Sequence, residues 1–304
     1  MPRILLPPLL ARHPFALGDG LDDGLSEKRL RGSDLAAPHS GVRVARSAES
    51  ALEHAGELYL PLLRPDEVFS HTTAASIWGL PLPLAVSPVV HVTRFGEQRP
   101  RRPAVVGHRS SRRLATTIVG GLPVVEPLVA WAQCAAVLRL DDLVAMGDAL
   151  AGRWSPHAAA RELPLGLPAR AADDWGRRRG RRRLEEALGL VRPDVWSPRE
   201  TALRLVILRA GLPEPPERNA VICDAAGSVV GHADLVWRDE RVLAEYEGDQ
   251  HRTDRRQWRL DLAKYEAYAD EGWRVVRVTD DDLVAPARLV RRIARLLTDR
   301  AVLC

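Results

Sequence analysis

Cysteine is scarce: Cys134, Cys223 and Cys304 are the only three in 304 residues. They are far apart, odd in number and fit no metal-ligand spacing, so no disulfide framework and no zinc site are expected. A reducing compartment follows. The two interior cysteines are expected to be buried small apolar residues, with Cys304 on a frayed end. Lysine is scarcer still, present only at Lys28 and Lys264, so nearly all positive charge is arginine. That skew, alongside abundant Ala, Leu, Val and Pro, is the mark of a GC-rich genome. The net charge of +4 therefore permits a nucleic-acid partner without demanding one. Long apolar runs are missing too. The longest, from Pro127 to Met146, is interrupted by Gln133, Arg139, Asp141 and Asp142. It cannot supply the roughly 20 uninterrupted apolar residues of a membrane span. The opening MPRILLPPLLARHPFALGDG has an apolar run broken by prolines and no small-residue cleavage site. No signal peptide and no membrane partner are expected, and a cytoplasmic location follows by default.

What is present is an ordinary globular composition, 46% hydrophobic and 28% charged, on a chain too long for one comfortable core. Two domains are expected. RELPLGLPAR (Arg161–Arg170) reads as a connection after a helical stretch, RRRGRRR (Arg177–Arg183) as a basic block, and VRPDVWSP as a second breaker. These signals place a first domain over 1–165, a basic linker over 166–194 and a second domain over 195–304.

The first domain reads as mainly helical with winged-helix character. Asp22 to Leu35 gives two short helical pieces around a turn at Gly24, with Ser26 as N-cap, and GVRVA (Gly41–Ala45) gives a short strand. Val68 to Leu80 reads as a helix capped near Ser70 and ended by Gly79. Val89–Thr93 and Ala104–His108 read as strands, and Pro127–Leu150 as one or two helices. The basic residues Lys28, Arg29 and Arg31 are candidate phosphate contacts, as are Arg177, Arg178, Arg179, Arg181, Arg182 and Arg183. A solvated helix face and a solvated linker explain them equally well.

The second domain is clearer. SPRE (Ser197–Glu200) starts a helix with Ser at N-cap, Pro at N1 and Glu at N3, and Gly211 ends it. Strands follow at Asn219–Cys223, Val229–Trp237 and Val242–Glu247. A helix from Asp254 to Glu271, a strand WRVVRV and a helix from Leu283 to Leu297 complete the order α-β-β-β-α-β-α around a mixed sheet. The turn RDER puts Trp237 opposite Val242 and hence Asp234 opposite Glu245. Because side chains alternate along a strand, Leu235, Trp237, Val242, Ala244 and Tyr246 form a core face. Asp234, Val236, Leu243, Glu245 and Glu247 form the other.

Like charges facing each other across a hairpin cost up to about 1 kcal/mol. A hard divalent cation, Mg²⁺ or Mn²⁺, held by Asp234, Glu245 and Glu247 removes that repulsion and suits phosphodiester hydrolysis. A solvated sheet face neutralised by arginines is the plain alternative. Glu200 is expected to complete a capping box and to face inward. Gln250 and His251 leave the same strand end as Glu247, where His251 is placed to protonate a leaving oxygen or position water. Asp280, Asp281 and Asp282 precede a helix and read as caps.

SPRETALRLVILRAGLP, ADLVWRDERVLAEYEGDQHR, D-L-A-K and GWRVVRVTDDDL together resemble a bacterial domain family related to the very-short-patch-repair endonuclease, within the PD-(D/E)XK restriction-endonuclease-like superfamily. The resemblance covers about Ser197 to Leu283. It implies an αβββαβ core and divalent-metal hydrolysis of DNA, with Asp234 as first acid and Glu245 as second. Glu247 stands where the superfamily's usual pattern has lysine, and His251 or Lys264 could substitute. SEKRLRGSDL, GVRVA and FSHTTAASIWGLPLP resemble abortive-infection-type antitoxin helix-turn-helix proteins, which implies DNA binding. The expected function is a metal-dependent endodeoxyribonuclease of repair or defence. Its rival is a non-enzymatic DNA-binding regulator of toxin–antitoxin type that keeps the nuclease fold as a scaffold. RNA stays open as a substrate because the phosphate chemistry is shared, and a homodimer is compatible with the sequence.

Overall fold

The chain is a mixed α/β protein, and its computed structural model describes residues 5–50, 52, 54–84, 89–248 and 255–299, with backbone only over 255–261. At the amino end it forms β1 (Phe15–Ala16), α1 (Leu17–Asp22), α2 (Glu27–Leu30), β2 (Leu35–Ala36) and β3 (Val42–Ala45). Next come α3 (Arg46–Glu49), α4 (Ala55–Tyr59), β4 (Glu67–Phe69) and α5 (His71–Ile77). Four strands follow: β5 (Val90–Phe95), β6 (Val105–Ser110), β7 (Thr116–Val119) and β8 (Leu122–Val125). The helices α6 (Pro127–Cys134), α7 (Leu140–Ala151), α8 (Gly166–Trp175), α9 (Arg181–Leu190) and α10 (Pro198–Arg209) run on from there. The chain closes with β9 (Glu217–Cys223), β10 (Val229–Trp237), β11 (Val242–Tyr246) and α11 (Arg255–Asp270). After these come β12 (Arg274–Val278), α12 (Asp280–Val284) and α13 (Ala287–Thr298).

Two compact units interleave in sequence. Unit 1 holds Met1–Arg139, Ser155–Ala160 and Gly166–Glu186; unit 2 holds Leu140–Trp154, Arg161–Leu165 and Ala187–Cys304. The breaker signals predict one boundary after about residue 163, but α7 joins unit 2. The reason is a polar network that sequence periodicity does not register. Asp148 of α7 is fully buried, and its Oδ1 accepts the Arg192 N–H at 2.7 Å. Its Oδ2 accepts the Thr201 hydroxyl at 2.7 Å and Arg204 Nη2 at 3.0 Å. Burial pushes this carboxyl up, and the fully buried Arg204 guanidinium opposes that shift. Within residues 166–194, read as a basic linker, α8 and α9 occupy most of the positions.

Unit 1 corrects the expectation of a mainly helical domain. It carries a three-stranded antiparallel sheet, β1-β3-β2, and a five-stranded mixed sheet in the order β6-β5-β4-β8-β7. The expected strands near 89–93 and 104–108 are β5 and β6, paired in parallel. β4, β7 and β8 were not foreseen, since short strands of this length leave little alternation to read. The small sheet packs with α1 and α2 around Phe15, Leu25, Leu30 and Val44. Gly24 makes the turn between the helices with φ 80°, and Ser26 caps α2 by accepting the Arg29 N–H.

In unit 2 the observed order α10-β9-β10-β11-α11-β12 matches the expected one, in a sheet ordered β12-β11-β10-β9. Trp237 pairs with Val242, Val236 with Leu243 and Leu235 with Ala244, the expected register. One face buries Leu235, Trp237, Val242 and Ala244 with Leu203 and Ile207 of α10 and Leu289 and Ile293 of α13. The other buries Val236 and Leu243 with Tyr268 of α11 and Trp273. Fully burying a side chain of this size stabilises the fold by about 1.5–3 kcal/mol, so a one-residue slip, which exchanges the faces, is strongly disfavoured. Cys134 is buried as expected, but Cys223 is exposed on the edge strand β9.

Candidate functional site

The acidic hairpin of unit 2 collects its groups from β9, β10, β11, β12, α10 and α11. Asp234 lies between the Ala233–Ala220 and Leu235–Arg218 pairs, across from Asn219, whose φ is 45°. The Tyr246 N–H donates to Asp234 Oδ2 at 2.7 Å, which fixes the carboxyl against the neighbouring strand. Asp234 is half-buried, and its carboxyl is pushed up to about 7, first by burial and then by the Glu200 and Glu245 carboxylates. Glu245 is buried on β11. The Lys264 ammonium, from α11, stands 2.8 Å from Glu245 Oε1. Among the described residues that buried oxygen has this ion pair and makes no hydrogen bond.

Lys264 is held from several sides. Its Nζ donates to the His232 carbonyl at 3.2 Å and lies 5.4 Å from the Tyr268 ring centroid. Tyr268 donates to the same carbonyl at 3.2 Å. Gly231 permits this approach: a Cβ there would stand 2.9 Å from the Tyr268 hydroxyl and 3.3 Å from Lys264 Cδ. Burial and the Glu245 carboxylate raise both Tyr265 and Tyr268, which therefore act as neutral donors.

Glu200 is buried and its carboxyl is raised, mainly by burial. Its capping bond reaches one residue further than expected: Trp196 N–H donates to Oε2 at 2.8 Å, while Ser197 Oγ accepts the Glu200 N–H. Asn219 Nδ2 also donates to Oε2. The same carboxylate therefore caps α10 and acts electrostatically on Asp234.

Glu247 does not join Asp234 and Glu245 around one point. Among the described residues, the three do not form a group with one ligand oxygen each within 4.8 Å. Arg277 of β12 binds Glu247 through Nε and through Nη2, the latter at 2.8 Å, and the Tyr265 hydroxyl donates to it at 3.1 Å. Alternation correctly puts Glu247 on the face of Glu245, but it cannot foresee a bidentate arginine from the next strand. Gln250 and His251 lie outside the described residues. Thr279 caps α12 with Asp282 in a reciprocal bond, as expected of the DDD run, whereas Asp280 pairs with Arg199.

The basic candidates are dispersed. Arg29 is buried and binds Asp34 through both guanidinium branches at 3.0 and 2.8 Å, so it cannot meet a phosphate. Arg31 is exposed and pairs with Glu27, and Lys28 is exposed. Arg181 pairs with Asp173 and Glu185. Arg183 donates to the Ala135 and Leu138 carbonyls, and Arg178 stacks over Trp175. Arg177, Arg179 and Arg182 are exposed. A groove of about 790 Å³ on unit 2 was not foreseen, and it is lined by Arg277, Arg288, Arg291, Arg292 and Arg295.

Unit 1 holds a second cluster that the sequence did not disclose. His71, His91 and His108 each offer a ring nitrogen, and the three nitrogens lie within 4.8 Å of one another. The expectation of no zinc site rested on cysteine alone and does not extend to these residues. They are far apart in sequence, on α5, β5 and β6, and no short spacing announces them.

Two uncharacterised proteins of Mycobacterium tuberculosis, from strains CDC 1551 / Oshkosh and ATCC 25618 / H37Rv, are each 29% identical to this chain over 231 residues. The match covers 75% of this chain and 80% of each relative. No protein-family model and no solved structure matches the chain. Among the described residues no helix is long and apolar enough to cross a membrane.

Proposed function

We propose that unit 2 is a divalent-metal-dependent endonuclease hydrolysing DNA phosphodiester bonds, built on the restriction-endonuclease-like αβββαβ plan. The observation that carries this reading is the placement of Lys264 2.8 Å from Glu245 Oε1, beside Asp234 on the adjoining strand. Two acids and a lysine are the constellation the sequence resemblance implies. Here α11 provides the lysine that strand position Glu247 lacks.

The donor set fits a hard cation. Asp234 and Glu245 offer carboxylate oxygens, and the buried Glu245 Oε1 makes no hydrogen bond among the described residues. Mg²⁺ or Mn²⁺ held there would polarise the phosphoryl oxygen and lower the pKa of a bound water. The chain's own groups do the rest. Lys264 is fixed by the His232 carbonyl and the Tyr268 ring, so its charge is positioned before substrate arrives and can stabilise charge developing on the phosphate. Burial, and then Glu200 and Glu245, keep Asp234 high enough to hold a proton near neutrality, and binding of a cation would release it. The arginine groove beginning at Arg277 offers a phosphate backbone a place to lie.

For the amino-terminal piece of unit 1, the order α1, turn, α2, β2, β3 supports a winged helix-turn-helix that binds DNA. Lys28 and Arg31 are its exposed basic residues.

The test is cleavage of supercoiled plasmid and of short single- and double-stranded DNA and RNA, with Mg²⁺, Mn²⁺ or EDTA. Asp234→Ala and Glu245→Ala are run beside the wild type. Metal-dependent cutting lost in both variants supports the nuclease and its site together. Absence of both cutting and metal binding at Asp234 and Glu245 overturns the nuclease in favour of the DNA-binding regulator.

A further inference from the structure

The histidine cluster of unit 1 is assembled by three separate elements. His91 and His108 project from the same face of the parallel β5–β6 pair, whose register sets His91 against Val106 and Thr93 against His108. His91 Nδ1 and His108 Nε2 are 3.0 Å apart. His71 is the first residue of α5, and the Ser70 N–H donates to the His91 carbonyl, which ties the start of that helix to β5. His71 has φ 50°, an uncommon conformation for a residue with a Cβ, and backbone outliers of this kind cluster at functional sites. Its N–H donates to the buried Gln133 Oε1 at 3.0 Å, while Thr73 Oγ1 accepts the His91 N–H at 2.8 Å. The backbone on both sides of the cluster is thus held by buried side chains.

The rings are stacked, with centroids 3.6 Å apart for His71 and His108, 5.2 Å for His91 and His108, and 5.4 Å for His71 and His91. Burial lowers all three, His91 and His108 to about 4, so the imidazoles are neutral with lone pairs available. Among the described residues no carboxylate hydrogen-bonds to any of them, so the cluster is not a set of buried ion pairs. Ser70 Oγ lies 3.0 Å from His71 Nδ1, the outer-shell contact that orients a ligating imidazole. His108 also belongs to the wall of a cleft of about 850 Å³ rich in arginine: Arg64, Arg94, Arg99, Arg101, Arg102 and Arg109.

We propose that His71, His91 and His108 form a Zn²⁺ site. Its fourth position takes an anion of phosphate type from the adjoining arginine cleft. An all-imidazole set suits a borderline transition metal rather than Mg²⁺. Three protein ligands with an open fourth position is the pattern of zinc sites that act on an exogenous group. A zinc–nitrogen bond of about 2.0–2.1 Å needs the three nitrogens closer together than their present limit of 4.8 Å. Binding would therefore turn the rings about their Cβ–Cγ bonds and break the stack.

The test strips the full chain with a chelator and titrates it with Co²⁺ and then Zn²⁺, in an Asp234→Ala, Glu245→Ala background so that the acidic site of unit 2 does not contribute. One equivalent of Co²⁺ with visible ligand-field bands is expected, displaced by Zn²⁺. His108→Ala and His91→Gln should weaken uptake at least 100-fold while circular dichroism shows both folded. Inorganic phosphate should shift the Co²⁺ bands of the otherwise intact protein. Absence of a stoichiometric site, or uptake unchanged in both folded histidine variants, overturns the metal site. Bands unmoved by phosphate overturn the assignment of the fourth ligand.

Discussion

The two units meet the problem of gathering like groups in opposite ways. Unit 1 brings together three imidazoles, which burial keeps neutral, so the cluster carries little electrostatic cost without a cation. Unit 2 brings together carboxylates, which repel one another and need Lys264, a proton or a metal to coexist. The lesson is one of ligand hardness. The first set would select a transition metal by nitrogen, the second a hard cation by oxygen, so the two sites can be lost independently.

The largest effects separate them. Asp234→Ala or Glu245→Ala should lower cleavage by on the order of 10³-fold, and Lys264→Ala by about 10²-fold, the scale of losing a preorganised stabiliser. Co²⁺ uptake by the histidines should be unchanged in all three, and a shared loss would break the comparison. A second separation is in stability. Asp148→Ala removes the buried partner of the fully buried Arg204 guanidinium, leaving it Glu214 and the Leu190 carbonyl, which should cost about 3 kcal/mol. Calorimetry should show the transition of unit 2 lowered and the Co²⁺ bands of unit 1 intact.

Acidity sharpens the contrast further. Because the Asp234 carboxyl is raised, to about 7, a cation must displace its proton below that pH. Mn²⁺ affinity should therefore rise between about pH 6 and pH 8 and level off above, as titration at several pH values would show. The linkage sign is fixed as well. The folded value lies above the unfolded one, so the stability this group contributes is full at low pH. It is lost as the pH rises through about 7 in metal-free protein. Saturating Mn²⁺ should flatten that loss.

The smallest effect concerns Glu247. Arg277→Ala removes an exposed ion pair worth no more than about 1 kcal/mol, and cleavage should change only a few-fold. A loss in Glu247→Gln as large as that of Asp234→Ala would return Glu247 to the metal-binding set.

The pattern of what the sequence disclosed follows the range of each interaction. The hairpin register was legible because the short turn RDER sets Trp237 opposite Val242, and alternation assigns every other side chain to a face. Helix starts at Ser26 and Ser197 were legible because capping is local. The partner of Glu247 was not, because Arg277 reaches it from a parallel strand some thirty residues on. Asn219 was missed because its role comes from an unusual backbone angle opposite Asp234. The histidine cluster was invisible for the same reason as the five-stranded sheet: both exist only once distant strands pair. Lys264 was read as the second choice after His251 to replace a missing lysine, and α11 places its ammonium 2.8 Å from Glu245 Oε1.

Cleavage depends on supplying the right nucleic acid, whereas cation binding does not. The most direct test of the acidic site is therefore a Mn²⁺ titration near pH 8, monitored by electron paramagnetic resonance, on the wild type and on Asp234→Ala and Glu245→Ala. The account predicts a bound Mn²⁺ signal in the wild type that disappears in both variants while His108→Ala retains it. A signal that survives in both acid variants, or is absent from the wild type, would contradict it.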